Sequence, residues 1–392
     1  MKKIAVIGGG GRVGLPLSIL FAKAGNFVKI IDTDKSRVAL INKREMPFYE
    51  NGASEILKSL SEEHLFATDD VQAIDGCRIC VLIIGTPVGE DGVPSASFLV
   101  EFVQELIPHL RTTKLLILRS TVFPGITEAV SKLLKSQLPQ IQVAFCPERI
   151  AQGNAIDEIE RLPQIVGVES ELAFEECCDL FRGITGEILR CGFKEAEISK
   201  LFANVYRYIK FAVANEFFEM CVSNGIDWTK VWETLTHNYP RAKDLPKPGF
   251  AAGPCLVKDT QQLVYFDSKF SSLGLSAMKI NETLPDYIVS FMNQNFDLSN
   301  LTIGILGMTF KGDVDDFRSS LSFKLRNLLS IKCKKVICSD SVLNDQSFYS
   351  MEHTLETADV IIIASPHSSY RGINVSKPLI DIWRISTSKS LL

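Results

Sequence analysis

Lys3-Ile4-Ala5-Val6-Ile7-Gly8-Gly9-Gly10-Gly11-Arg12-Val13-Gly14 sets a short apolar run directly against a cluster of glycines. A helical pattern follows through Leu15, Leu17, Leu20 and Phe21, and a second apolar run, Phe27 to Ile31, ends at Asp32. Strand, glycines, helix, strand and acid in this order make a dinucleotide-binding unit. The glycines let backbone amides approach a pyrophosphate at the helix N-terminus, and the carboxylate takes the ribose hydroxyls. Four consecutive glycines leave two frames. Gly9, Gly11 and Gly14 satisfy G-x-G-x-x-G, whereas a frame on Gly8 and Gly10 puts Val13 where the third glycine belongs, so the later frame is preferred. Asp32 would repel a 2′-phosphate, which favours NAD over NADP.

The theme returns towards the other end. Leu301 to Gly307 reads as a strand, Met308 to Ser320 as a polar loop, Leu321 to Ile331 as a helix, and Lys335 to Cys338 as a strand ending at Asp340. Val360 to Ala364 with Ser365-Pro366 echoes Ile79 to Ile84 with Gly85-Thr86-Pro87. The fold class expected is α/β, with two Rossmann-like doubly wound domains, each offering a ligand crevice at the carboxyl ends of its strands. Between them, Glu195 to about Asn295 is helical in pattern. Leu201, Val205, Tyr208, Ile209 and Ala212 make one helical face, and Lys200, Asn204 and Arg207 another. So long an apolar helix exceeds what one monomer needs and suggests a homodimer formed through a central helical dimerisation domain. The boundaries expected are 1–190, 191–296 and 297–392.

Composition narrows the function classes. The 392 residues allow two or three domains. With 46% hydrophobic and 22% charged residues and a net charge of −4, the chain reads as an ordinary globular protein without the basic cluster that nucleic acid requires. No run reaches the ~18 apolar residues that span a bilayer, so no membrane partner is expected. Met1-Lys2-Lys3 before an apolar run mimics a signal peptide, but the glycines interrupt it. Ten scattered cysteines point to free thiols in a reducing cytoplasm. Cys77-Arg78-Ile79-Cys80 has a metal-like spacing, yet it opens a buried-strand pattern without a second pair, and His64, His109, His237, His353 and His367 lie far apart. No metal site is expected.

Three segments follow apolar strands where ligand-facing loops stand in a parallel sheet: Gly85-Thr86-Pro87, Arg119-Ser120-Thr121-Val122-Phe123-Pro124-Gly125, and Cys146-Pro147-Glu148-Arg149. Singly, each reads as well as a turn. A fourth segment is Pro248-Gly249-Phe250-Ala251-Ala252-Gly253-Pro254-Cys255-Leu256-Val257-Lys258-Asp259. If Pro254 opens a helix, Cys255 sits in its first turn, where the helix end and Lys258 favour the thiolate. On its own, the cysteine reads first as a small core residue.

Together these segments resemble a family. The chain carries, in order, G-x-G-x-x-G-L-P, T-P with D-G-x-P (Asp91-Gly92-Val93-Pro94), S-T-V-x-P-G, P-E-R, and E-x-x-K-x-x-x-N (Glu197, Lys200, Asn204). P-G-F with C-x-x-K-D and F-K…D-D-x-R (Phe310-Lys311, Asp315, Asp316, Arg318) complete the series. Over essentially its whole length the sequence resembles the UDP-glucose/GDP-mannose dehydrogenases, the nucleotide-sugar 6-dehydrogenases. The resemblance implies NAD-dependent, four-electron oxidation of the C6 hydroxyl of a nucleotide sugar to the uronic acid. Cys255 would add to the intermediate aldehyde as a thiohemiacetal, whose oxidation gives a thioester that water hydrolyses.

The resemblance also assigns roles. Lys200 would stabilise the oxyanion at C6 with Asn204 beside it, and Asp259 would handle protons with Thr121 and an ordered water. Glu148 and Arg149 would lie near the sugar, Arg241 would reach the partner subunit's substrate, and Phe310 and Lys311 would touch the nucleotide sugar. Phe250, Ala251, Ala252 and Gly253 would form the sugar-binding finger. Gly9, Gly11, Arg12, Val13, Gly14, Asp32, Thr86, Pro87 and Thr121 would line the cofactor site, with Arg318 closing on it. By spacing alone, Lys200 and Asn204 also read as an exposed helix pair, and Asp259 as a helix-start carboxylate.

Three departures bear on the substrate. The finger reads Ala-Ala-Gly-Pro-Cys where the family carries more glycine, so two methyl groups must be accommodated. Gln152 stands where UDP-glucose enzymes carry a second glutamate, and Arg12 interrupts the family's G-Y-V-G. These point away from glucose and towards N-acetylhexosamines or uncommon sugars. Two rivals remain. A β-hydroxyacid dehydrogenase would make Cys255 structural and leave the C-terminal domain without a purpose. A non-catalytic nucleotide-sugar-binding protein would not need the set Cys255, Lys200, Asn204 and Asp259.

Overall fold

The computed structural model describes residues 1–86, 95 and 97–392, so Pro87 and the Asp91-Gly92-Val93-Pro94 motif lie outside the described residues. The chain forms two compact units, Met1–Ala203 and Asn204–Leu392.

The first unit is built on an eight-stranded sheet. In chain order its elements are β1 (Lys3–Ile7), α1 (Gly14–Lys23), β2 (Phe27–Ile31), α2 (Lys35–Asn42), α3 (Ala53–Ser59), β3 (Leu65–Thr68), β4 (Ile79–Leu82) and α4 (Phe98–Leu106). Then come β5 (Leu115–Leu118), α5 (Ile126–Gln137), β6 (Gln142–Phe145), α6 (Ala155–Arg161), β7 (Gln164–Gly167), α7 (Glu171–Phe181), β8 (Ile188–Cys191) and the start of α8 (Phe193–Ser223). The strand order is β3-β2-β1-β4-β5-β6-β7-β8, parallel except where β6 meets β7. The central strands are apolar without interruption because both faces are covered. Ile4, Val6, Ile79, Val81, Leu115 and Ile117 pack into one core, and Ala5, Ile7, Cys80, Leu82, Leu116 and Leu118 into the other. Helix α1 is buried from Gly14 to Ala22, so it carries no polar face to mark its periodicity. Strand order reverses between β1 and β4, which opens a crevice beyond their carboxyl ends, where the glycine run begins.

Two features differ from the sequence expectation. The strand beginning at Ile79 stops at Leu82 rather than Ile84, because the Ile84 N–H donates to Ser120 Oγ (2.8 Å) instead of to a ladder partner. Strand β7 and the edge strand β8 are additional. Leu189 and Arg190 of β8 are exposed, so that strand has no alternating pattern to betray it.

The second unit takes the rest of α8, then α9 (Trp228–Thr236), α10 (Leu256–Phe266) and α11 (Ser271–Asn295). It continues with β9 (Thr302–Leu306), α12 (Leu321–Ser330), β10 (Lys335–Ser339), α13 (Met351–Thr357), β11 (Val360–Ile363) and β12 (Leu379–Asp381). Its sheet is all parallel in the order β10-β9-β11-β12, the same neighbour pattern as β2-β1-β4-β5. Leu284, Ile288 and Met292 of α11 and Leu321, Leu325 and Leu329 of α12 share a core with Ile303, Ile305, Val360 and Ile362. Along α8, Leu201, Val205, Tyr208 and Ala212 are buried as their spacing predicts, whereas Tyr206, Val213, Phe217 and Met220 are exposed. Among the described residues no helix is long and apolar enough to cross a membrane.

Candidate active site

The first unit supplies a cradle for a dinucleotide. A Cβ on Gly14 would stand 2.6 Å from the Gly8 carbonyl oxygen and 2.7 Å from Gly9 Cα, so the packing of α1 against the loop demands glycine there. On Gly11 a Cβ would meet only the Gly8 oxygen, at 3.4 Å. Among the described residues nothing forbids a side chain at Gly11, and its lack of one leaves room for a ligand to approach the backbone. Both observations fit the frame Gly9, Gly11, Gly14. Asp32 Oδ2 accepts from the Gly10 N–H (2.9 Å) and Oδ1 from the Asp34 N–H (3.0 Å). The carboxylate thus faces a cavity of about 440 Å³ lined by Gly8, Ile31, Thr33, Phe102 and Leu106 among others. An uncrowded glycine, a fixed acceptor and an apolar slot fit the pyrophosphate, ribose and adenine of NAD. Arg12 lies over the Phe48 ring (5.0 Å), Val13 leads into α1, and Thr86 is half-buried beyond β4.

The loops after β5 and β6 are clamped by a buried ion pair. Arg119 donates to the Cys146 carbonyl (2.9 Å), to Gln164 Oε1 (2.9 Å) and to Glu148 Oε2. Glu148 Oε1 accepts from the N–H groups of Arg149 (2.7 Å) and Ile150 (3.0 Å). Each lone-pair direction of a carboxylate used this way holds the fold together. Glu148 is therefore an anchor between two loops, and Arg149 turns its guanidinium to the Pro163 carbonyl. Thr121, half-buried, follows directly from Arg119-Ser120. Glu197 is the second clamp. Its carboxylate, 1% exposed, accepts from the N–H of Gly125 (2.6 Å), the N–H of Thr127 (2.8 Å) and Thr127 Oγ1 (2.6 Å). It caps α5 from α8, and burial pushes its carboxyl up despite those hydrogen bonds. Lys200, half-buried, stands one turn further along the same helix.

The second unit carries the thiol. Of the ten cysteines Cys255 alone is exposed. It is the N-cap of α10, with φ −97° and ψ −43°, and its carbonyl accepts the Asp259 N–H (2.9 Å). Pro254 precedes the helix rather than opening it, so Cys255 stands one residue outside the first turn that the sequence suggested. Asp259 is 1% exposed. Its Oδ2 accepts from Asn204 Nδ2 (2.6 Å), while Oδ1 is buried without a hydrogen-bond partner among the described residues, 3.6 Å from Lys258 Nζ. Arg318 grips the buried Asp316 through Nε (2.9 Å) and Nη2 (2.6 Å). That pairing raises the Arg318 guanidinium above its ordinary value, with a smaller contribution from Cys255.

The finger before the thiol offers backbone rather than side chains. Phe250, Ala251 and Ala252 are 4%, 3% and 7% exposed. Ala251 packs with Tyr208, Ala212 and Ala277, and Ala252 joins the larger core with Phe250, so both methyl groups are taken up by apolar clusters. Gly249 lies under the Trp383 ring and Gly253 under the Phe310 ring, where a Cβ would come within 2.5 and 2.6 Å respectively. The Gly253 N–H donates to the Ser319 carbonyl (3.3 Å), which ties the finger to the loop holding Phe310, Lys311 and Arg318. Arg241 is exposed, 5.8 Å over the Tyr239 ring, apart from this group.

The two sheets treat their second-strand acids differently. Asp340, beyond β10, accepts from the N–H groups of Met308 (2.6 Å), Thr309 (3.2 Å), Val342 (2.9 Å) and Leu343 (2.8 Å). His367 Nε2, fully buried, lies 3.1 Å away. Burial opposes ionisation of Asp340, but His367 and those amides outweigh it and hold the carboxyl below its ordinary value. The acid that faces a cavity in the first unit is consumed by its own chain in the second. Sequence reasoning assigned no role to Arg119 or to Glu197. Both stand in segments that the sequence singles out, but their pairings gave no signal, because the partners are distant in sequence.

Models of one family match three successive segments: its NAD binding domain at residues 2–185, its central domain at 194–283 and its UDP binding domain at 304–386. The chain is 30% identical to a UDP-N-acetyl-D-mannosamine dehydrogenase of Methanocaldococcus jannaschii, over 95% of this chain and 87% of the relative. It is 26% identical to a UDP-glucose 6-dehydrogenase of Pseudomonas aeruginosa, over 97% and 88%. The solved structure of a UDP-D-ManNAc dehydrogenase from Pyrococcus horikoshii superposes with a TM-score of 0.90 at 28% identity, covering 99% of this chain and 97% of that one. With its NAD-binding cradle, this chain belongs to the UDP-glucose/GDP-mannose dehydrogenase family and is an NAD-dependent nucleotide-sugar dehydrogenase.

Proposed function

We propose that the protein oxidises the C6 hydroxyl of a UDP-linked N-acetylhexosamine to the uronic acid, with Cys255 as the covalent nucleophile. The observation that carries this reading is the exposed Cys255 at the start of α10, above the buried Asp259 whose Oδ1 has no hydrogen-bond partner among the described residues. Gly11 and Asp32 would hold two NAD molecules in turn, each of which would accept one hydride, the first from the alcohol and the second from the thiohemiacetal. The Cys255 thiolate adds to the aldehyde carbon and forms a C–S bond, and the Lys200 ammonium stabilises the oxygen that becomes negative. Asn204 orients Asp259, whose Oδ1, 3.6 Å from Lys258 Nζ, would take a proton from a water that cleaves the thioester. Hydrolysis releases the acid and restores the thiol. N–H groups of Ala251 and Ala252 have no hydrogen-bond partner among the described residues although both residues are nearly buried, which suits them to bind sugar oxygens.

In this reading residues 1–190 hold the cofactor, 191–296 the catalytic and dimerisation helices, and 297–392 the UDP moiety. The apolar stripe Tyr206, Val213, Phe217 and Met220 makes the protein a homodimer through α8, with Arg241 serving the neighbouring site. The reducing cytoplasm keeps so exposed a thiol active. UDP-N-acetyl-D-mannosamine is the first substrate to test, because relatives with that activity resemble the chain over nearly its full length. Two NADH should form per sugar, and Cys255→Ser should bind NAD and sugar but release no acid. One NADH per sugar would support a two-electron dehydrogenase instead, and binding without turnover a non-catalytic protein.

A further inference from the structure

The segment that offers those backbone amides is held by a residue outside every motif. Asn215 lies on α8 three helical turns beyond Asn204, on the same face, and is fully buried. Its Oδ1 accepts from the Gly249 N–H (2.8 Å) and its Nδ2 donates to the Gly249 carbonyl (3.1 Å). One side-chain amide thus pairs with both backbone groups of a single residue, as a neighbouring strand would. The same Nδ2 donates to Asn281 Oδ1 (2.9 Å), and Asn281 Nδ2 donates to the Tyr208 carbonyl (2.9 Å). Asn281, also fully buried, therefore fixes which way the Asn215 amide faces. The far side of Gly249 is closed by the Trp383 ring, whose Nε1 donates to the Ala364 carbonyl (3.0 Å).

We propose that Asn215 is a positioning residue for the sugar. By gripping Gly249 against Trp383 it sets the register of Phe250-Ala251-Ala252-Gly253, and so the direction in which the Ala251 and Ala252 N–H groups point. The pair is buried, bidentate and oriented by a second amide, an arrangement stiff enough to hold a loop in one geometry. Ala251 and Ala252 add grip, because their methyl groups sit in two different clusters and cannot rotate outward without leaving both. The Cys255 end is held separately, through Gly253 to Ser319. The clamp consequently governs affinity for the sugar, whereas the nucleotide and NAD do not depend on it. This inference rests on the proposed reading of the finger as the sugar-binding element.

The test uses the full-length protein with Asn215→Asp, which keeps one acceptor for Gly249 but loses both donated bonds. Hydrogen–deuterium exchange without ligand should accelerate about tenfold or more in peptides covering 248–255, and little in α11. Calorimetry should show UDP-N-acetyl-D-mannosamine binding weakened about tenfold, with binding of UDP alone and of NAD changed less than about twofold. Asn281→Ala, which leaves the finger untouched but frees the Asn215 amide to turn, should give the same pattern at smaller size if Asn215→Asp does not fold. Unchanged exchange at 248–255 overturns the clamp. Faster exchange with unchanged sugar affinity, or with equal losses for sugar, UDP and NAD, overturns its role in sugar binding. If the unaltered protein binds the sugar nucleotide no better than UDP, the proposed function fails, while the exchange result still decides the clamp.

Discussion

Gly11 and Gly14 separate ligand contact from folding within one loop. Gly11→Ala adds a methyl group whose nearest neighbour is the Gly8 oxygen at 3.4 Å, an ordinary van der Waals distance, and Gly11 is not in a left-handed conformation. The folded chain accommodates it, and lost freedom in the unfolded chain stabilises the protein by about 0.4–1 kcal/mol. The same methyl occupies the space a pyrophosphate needs, so NAD should bind at least about tenfold more weakly, a loss of ~1.4 kcal/mol. Gly14→Ala meets backbone atoms at 2.6 and 2.7 Å, which cannot yield without parting α1 from the loop. Overpacking of this kind costs about 1–3 kcal/mol, or roughly 2–12 °C in melting temperature. The assay is NAD titration by calorimetry beside thermal unfolding of both variants. If Gly11→Ala binds NAD normally, or melts as early as Gly14→Ala, the division of labour between the two glycines is wrong.

Three further expectations follow from other parts of the chain. Glu148→Gln leaves the Arg119 guanidinium buried beside a neutral partner and should cost about 3–5 kcal/mol, visible as earlier thermal unfolding; unchanged stability with only kcat reduced would make Glu148 a chemical rather than a structural residue. Burial, with Glu216 adding to it, pushes the Glu219 carboxyl up to about 7. Its folded value exceeds its unfolded one, so ionisation opposes folding, and stability from this group is lost as pH rises from about 4.5 through 7. Glu219→Gln should therefore stabilise the fold by about 1–3 kcal/mol at pH 8, seen as a higher melting temperature, and leave stability unchanged near pH 4; an equal gain at both values would refute the assignment. Phe217→Asp places a charge in the apolar stripe of α8 and should shift the proposed dimer to a monomer by light scattering, whereas a variant with the same oligomeric state as the unaltered protein would remove that interface.

The fold class was legible because both sheets announce themselves locally. A parallel strand buried on both faces must be apolar throughout, and glycines followed by an acid mark where the chain turns to meet a dinucleotide. Lys200, Asn204, Cys255 and Asp259 stood out only through the family resemblance of their motifs, since by spacing alone they read as a helix pair, a core thiol and a helix-start carboxylate. Local pattern did not reach β8, whose exposed Leu189 and Arg190 break the alternation, nor the burial of α1 on all sides.

By itself the sequence determined that two nucleotide-fold sheets flank a helical segment, and which residue types stand in the loops at their strand ends, since each of those signals needs only near neighbours in the chain. What each loop residue does depends on partners brought from far away, and only the tertiary structure decided it. Glu148 pairs with Arg119 and Asp340 with four amides and His367, whereas Asp32 faces a cavity. The Ala251 and Ala252 methyl groups, which looked like an obstacle to substrate, are absorbed by two clusters built from α8, α11 and the second sheet. A carboxylate or a methyl group carries no mark of whether its surroundings are solvent, a ligand space or a distant side chain, because that is settled by packing and hydrogen bonding across the fold.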